Sequence, residues 1–144
     1  MNMRIFLFIL LIGSVAVKAQ TINDNECFEH FEVQKIPKAI KHEIKVTYKH
    51  RFVMVNPDKN FQETDVKGGR KLKERRLVFW SNCDGVFILV YEHGGFGYHK
   101  HVITFKKEDG SYVIKKNISV GDAKTLNEVR KALNENDRLR LDDF

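Results

Sequence analysis

Three histidines, His93, His99 and His101, gather around a short turn sequence, Gly94-Gly95-Phe96-Gly97, with Glu92 just ahead of the first. Imidazole nitrogens and carboxylate oxygens are the ligands zinc takes, and three protein ligands with one open position are what a catalytic zinc requires. His99 and His101 are two residues apart, so on a strand both side chains leave by the same face. The third ligand depends on the register of the hairpin. A four-residue loop, residues 94–97, sets Glu92 across from His99, whereas a five-residue loop sets His93 there instead. Either register assembles three ligands. The same residues also describe a solvated end of a sheet, because His99 and His101 continue the face of Ile103 and Phe105 and no partner that would orient the imidazoles is legible nearby. That plainer reading is taken first, with no cofactor expected. Zinc bound by Glu92 or His93 together with His99 and His101 is the alternative.

A second group of residues points to binding through charge. Residues 35–76 carry thirteen Lys or Arg against five acids, whereas residues 20–34 carry four acids and no base. The density peaks at Lys67, Arg70, Lys71, Lys73, Arg75 and Arg76, where no apolar stripe accompanies it. Such a patch steers an acidic partner, although a charged run is commonly only a solvated face. With Phe96 on the exposed glycine turn, these six residues form the candidate contact surface for a protein partner. No Gly-x-Ser-x-Gly elbow, His-Glu-x-x-His pair or phosphate-loop spacing occurs, so the residues favour a binding protein over an enzyme. Nucleic acid is not expected as a partner, since core packing accounts for the aromatic residues that would stack on bases.

The elements that must position these groups follow from periodicity. Ile44, Val46, Tyr48, Phe52 and Met54 alternate with polar residues and predict a half-buried strand running to Val55, followed by a turn at Asn56-Pro57-Asp58-Lys59. Four further strands are predicted at 77–81, 86–91, 99–107 and 112–116, joined by turn signals at Asp84-Gly85, the glycine stretch and Asp109-Gly110. Residues 86–91 are apolar on both faces, as a strand covered on both sides would be. Leu126, Val129, Ala132 and Leu133 share one side of a helix that Asp122 is expected to cap. A short N-terminal helix carrying Cys27, Phe28 and Phe31 is expected to end before Pro37. The fold class is α+β: an antiparallel meander of about five strands, with the C-terminal helix and the short N-terminal helix packed on it.

The N-terminus reads as a signal peptide, with Arg4, an apolar run from Ile5 to Ile12, and small residues up to Ala19. The run is too short to span a bilayer. Residues 1–19 are therefore expected to be removed, leaving a single globular domain at 20–144, exported to the periplasm or the medium. In that compartment Cys27 and Cys83 are expected to pair. The function expected is that of a small exported protein-binding module, of the inhibitor or immunity-protein kind. A metal-binding protein or metal-dependent enzyme on the histidine hairpin is the alternative.

Overall fold

The computed structural model describes residues 27–49, 52–65, 71–95 and 97–135. The expected signal peptide at 1–19, His50 and the C-terminal tail lie outside them. The chain runs through a 3₁₀ turn at Val33–Lys35, helix α1 at Lys38–Tyr48, strands β1 at Met54–Val55, β2 at Arg75–Cys83, β3 at Val86–His93, β4 at His99–Glu108 and β5 at Ser111–Ser119, and helix α2 at Leu126–Glu135. The strands form one sheet in chain order. β2 to β5 are an antiparallel meander, and β1 joins the edge of β2 in parallel. The sheet is thus mixed, and the fold is broadly α+β.

The meander follows its turn residues. Asp84-Gly85 and Asp109-Gly110 both place two consecutive residues at positive φ, 51° and 76° in the first and 47° and 83° in the second. Two-residue hairpins need that conformation to match the twist of the strands. β3 lies at the centre of the sheet and is buried from Phe87 to Tyr91. Phe87, Leu89 and Tyr91 face one core, completed by Ile36, Ile40 and Ile44 from the α1 side. Ile88 and Val90 face a second core, completed by Leu126 and Val129 of α2.

The first third of the chain departs from the periodicity reading. The strand expected from Ile44 is instead the second half of α1, and only Met54–Val55 pairs with the sheet. The residues satisfy both periods: Ile44 and Tyr48 are two steps apart twice over, but they also continue a four-residue series from Ile36 and Ile40. The helix wins because it buries Ile40 and Ile44 on one face, in line with buried Ile36 just ahead of it, and leaves Val46 61% exposed. Pro37 opens the helix rather than ending a preceding one, since the first helical turn has no use for the amide hydrogen that proline lacks. Cys27 to Glu32 is accordingly not the N-terminal helix expected. His30 bridges Trp80 through two backbone hydrogen bonds of 2.8 and 2.9 Å, and Phe28 and Phe31 are exposed.

α2 is capped by Thr125, not Asp122. The Thr125 hydroxyl accepts from the Glu128 amide at 3.3 Å, while the Glu128 carboxylate accepts from the Thr125 and Lys124 amides at 3.0 and 2.7 Å, a reciprocal capping box. Glu29 accepts from the Leu126 amide at 2.7 Å and ties the N-terminal segment to the helix. Cys27 and Cys83 form a disulfide with a Cα–Cα distance of 5.3 Å. Among the described residues no helix is long and apolar enough to cross a membrane.

Candidate metal centre

The register of the β3–β4 hairpin resolves which residue joins His99 and His101. His93 pairs with His99, Glu92 with Lys100 and Tyr91 with His101, so the loop has five residues. Paired residues share a face, which puts His93, His99 and His101 together on the α1 side and sends Glu92 to the other. One ring nitrogen of each histidine lies within 4.8 Å of the other two. Zinc–nitrogen bonds of about 2.0–2.1 Å would bring tetrahedral ligands to roughly 3.4 Å apart, so closure on an ion asks for small side-chain rotations.

The register itself is held by a close contact. Gly94 is buried beneath the backbone of Gln62, where an added Cβ would stand 1.8 Å from the Gln62 carbonyl oxygen. Gly94 donates to the Glu74 carbonyl at 2.9 Å, Gly95 to that of Glu63 at 3.3 Å, and Gln62 to that of Lys73 at 2.8 Å. The start of the glycine turn is therefore clamped by residues 62–63, and the expected exposed contact surface does not extend to Gly94.

Two of the imidazoles are oriented by acceptors on Nδ1. The Gly97 carbonyl oxygen lies 2.6 Å from His99 Nδ1 and can only accept, so that nitrogen carries a proton, and a metal would be taken by Nε2. Asn117 Oδ1 lies 3.2 Å from His101 Nδ1, while Asn117 Nδ2 donates to the Tyr48 hydroxyl at 2.9 Å, so the amide presents its oxygen to the ring. Tyr91 stacks on His101 from β3, with ring centroids 5.2 Å apart. Histidine ligands of metals commonly have this second contact, which fixes the tautomer and the ring plane.

Asn117 faces His101 because of an irregularity in the sheet. The β4–β5 register shifts by one residue between the Thr104–Lys116 and Phe105–Ile114 pairs, a bulge at Lys115. Tyr112 and Ile114 pack on the α1 core, so strict alternation would carry Lys116 and Ile118 to that face. The extra residue inverts the phase, Ile118 joins the α2 core and Asn117 turns to the histidines. Sequence reading missed both Asn117 and Tyr48, since neither the bulge nor the end of α1 leaves a compositional signal.

Burial favours the neutral form of His101 and His93. Burial lowers the pKa of His101 to about 4, with the neighbouring His99 adding to the effect. Burial also lowers that of His93, followed by the charges of Arg75 and His99. A neutral ring is the form that binds metal. On the opposite face Glu92 accepts from Arg76 Nε at 2.5 Å and from the Tyr98 hydroxyl at 2.6 Å. Burial would raise the Glu92 pKa, but these hydrogen bonds outweigh it and hold the carboxyl below its ordinary range. Glu92 is thus an ion-pair partner rather than a fourth ligand.

The basic group is divided in the same way. Lys71 and Lys73 are exposed. Arg76 is engaged with Glu92 and lies over the Phe61 ring at 4.3 Å, and Arg75 lies over Phe52 at 4.9 Å. These two arginines stand on β2, half-buried, with aromatic and carboxylate neighbours. Lys67, Arg70 and Phe96 lie outside the described residues.

No family model, curated protein or solved structure matches the chain.

Proposed function

We propose that this chain is an exported binding protein whose ligand is a divalent transition-metal ion, zinc by preference, held by His93, His99 and His101. The supporting observation is the convergence of three imidazole nitrogens within 4.8 Å, two of them on rings whose Nδ1 atoms already have acceptors. Three nitrogen ligands without a thiolate suit zinc, copper(II) or nickel, and they leave coordination positions for water or an outside ligand.

The test is equilibrium dialysis of zinc against the untagged chain and a His99→Ala, His101→Ala variant, with cobalt(II) absorption reporting the ligand geometry. One ion per chain, with at least a hundredfold weaker binding in the variant, is expected. Equal binding by the two proteins would end the metal reading.

The second reading, an inhibitor or immunity-type module for an acidic protein, draws on exposed Lys71 and Lys73. It predicts association that slows steeply with salt and with Lys71→Glu, Lys73→Glu, whatever the metal content.

A further inference from the structure

Between α1 and residues 52–54 lies a trough of about 310 Å³, open to solvent and lined by none of the three histidines. Its apolar lining comes from Val33 and Ile36 before the helix, Ile44 within it, and Phe52 and Met54 after it. Three lysines, Lys41, Lys45 and Lys49, complete the lining at four-residue spacing, and no acidic residue takes part. Four residues is the interval that stacks side chains along one edge of a helix, so Lys41 and Lys45 sit one above the other on α1, and Lys49, just past the helix end, lines the same trough beside its apolar floor. We infer that this trough is a binding site for a small amphiphilic anion: an apolar chain on the floor and a carboxylate among the lysines.

The walls are built in advance. Asn56 Oδ1 accepts from the Val33 amide at 2.9 Å and pins the 3₁₀ turn against the segment leaving β1. Met54–Val55 is fixed by pairing with Arg75 and Arg76 of β2. Ile36 and Ile44 are buried in the core beneath, whereas Val53 stays 42% exposed at the mouth. Lys41 is steadied by donating to the Gln34 carbonyl at 2.8 Å. Lys49 closes the row at φ 56° and ψ −145°, a conformation costly for any residue but glycine. The volume sits at the lower end of the range for small-molecule sites, which suits a chain of about eight carbons rather than a long lipid. Apolar area supplies non-directional affinity, and the lysine row selects for charge.

Calorimetric titration of the full chain with octanoate, 1-octanol and acetate, in the presence of a chelator, tests this assignment independently of the metal centre. Octanoate is expected to bind one to one, at least tenfold more tightly than either 1-octanol or acetate, and to shift the methyl resonances of Ile36, Ile44 and Met54. Lys45→Gln, Lys49→Gln should remove the preference for octanoate over 1-octanol at an unchanged melting temperature. Val53→Trp, which fills the mouth, should weaken both. Equal binding of octanoate and acetate would reduce the site to a lysine cluster. Equal binding of octanoate and octanol would make it a plain apolar groove. Binding only to anionic phospholipid vesicles would assign the face to a membrane surface, and self-association lost in Val53→Trp would assign it to a second copy. Any of these four results, or the absence of saturable octanoate binding, overturns the inference.

Discussion

The two faces of the β3–β4 hairpin end in different ways. On the α2 side the last polar groups are used up by the protein: Glu92 takes Arg76 and Tyr98, and the Lys100 ammonium, in a residue 6% exposed, lies 3.4 Å from the carbonyl oxygens of both Asp122 and Ala123. On the α1 side His99 and His101 each have Nδ1 on an acceptor, and the three imidazoles of His93, His99 and His101 lie against one another. The same two strands therefore carry a face whose polar ends are tied into the protein and a face where three imidazoles converge, which is the face proposed to take the metal. Burial alone would not separate them, since His101 and Lys100 are equally buried. Hydrogen-bond accounting does.

Damage to the α2 side is expected to appear as lost stability. Val129 is fully buried in the α2 core, so Val129→Asp should lower the unfolding free energy by about 4 kcal/mol, because a charge enters without a partner. Urea denaturation measures this, with exposed Lys131→Asp as the control; a difference below about 1 kcal/mol between the two would mean that α2 does not pack as described. Arg76→Ala should cost about 2 kcal/mol by removing the ion-pair partner of the half-buried Glu92, which keeps only the Tyr98 hydroxyl. Under chelating conditions His93→Ala should cost no more than about 1 kcal/mol, because its ring fills no central core position. Equal losses for Arg76→Ala and His93→Ala would erase the distinction between the faces.

Acid sharpens the comparison. Burial holds His101 near a pKa of about 4, below its ordinary 6.5, so an unfolded chain takes up a proton that the fold refuses. The stability this residue contributes is full above pH 6.5 and is lost as the pH falls towards 4, and His93 acts in the same direction. Denaturation of the metal-free protein across that window should show a falling stability that is shallower in His101→Gln. A flat profile would show that the ring is solvated in the fold.

A smaller effect is expected at the orienting amide. Asn117→Ala should weaken zinc binding about tenfold while changing stability by about 1 kcal/mol or less. Unchanged zinc affinity would mean that Asn117 supports only Tyr48. The smallest change should come from Lys71→Glu with Lys73→Glu, within about 0.5 kcal/mol of the parent chain, since both residues are exposed.

The meander and its turns were determined by sequence, because two-residue turns leave a local mark: Asp84-Gly85 and Asp109-Gly110 accept the positive φ that their hairpins need. The α2 stripe and the pairing of Cys27 with Cys83 were legible for similar reasons of pattern and number. Residues 36–48 were not, since their apolar positions satisfy periods of two and of four, and only the isoleucine pocket above Leu89, Tyr91 and Ile103 selects the helix. At the candidate site the sequence supplied the histidines but left two registers open. Packing of Gln62 onto Gly94, a contact across 32 positions of chain, accompanies the five-residue loop and with it His93 rather than Glu92. A bulge at Lys115 then brought in Asn117, 16 residues from His101, and the end of α1 brought Tyr48 a further 69 residues from Asn117. Spacing along a strand fixes which side chains share a face, but which strand lies opposite, and in what phase, is decided only when distant backbone closes around it.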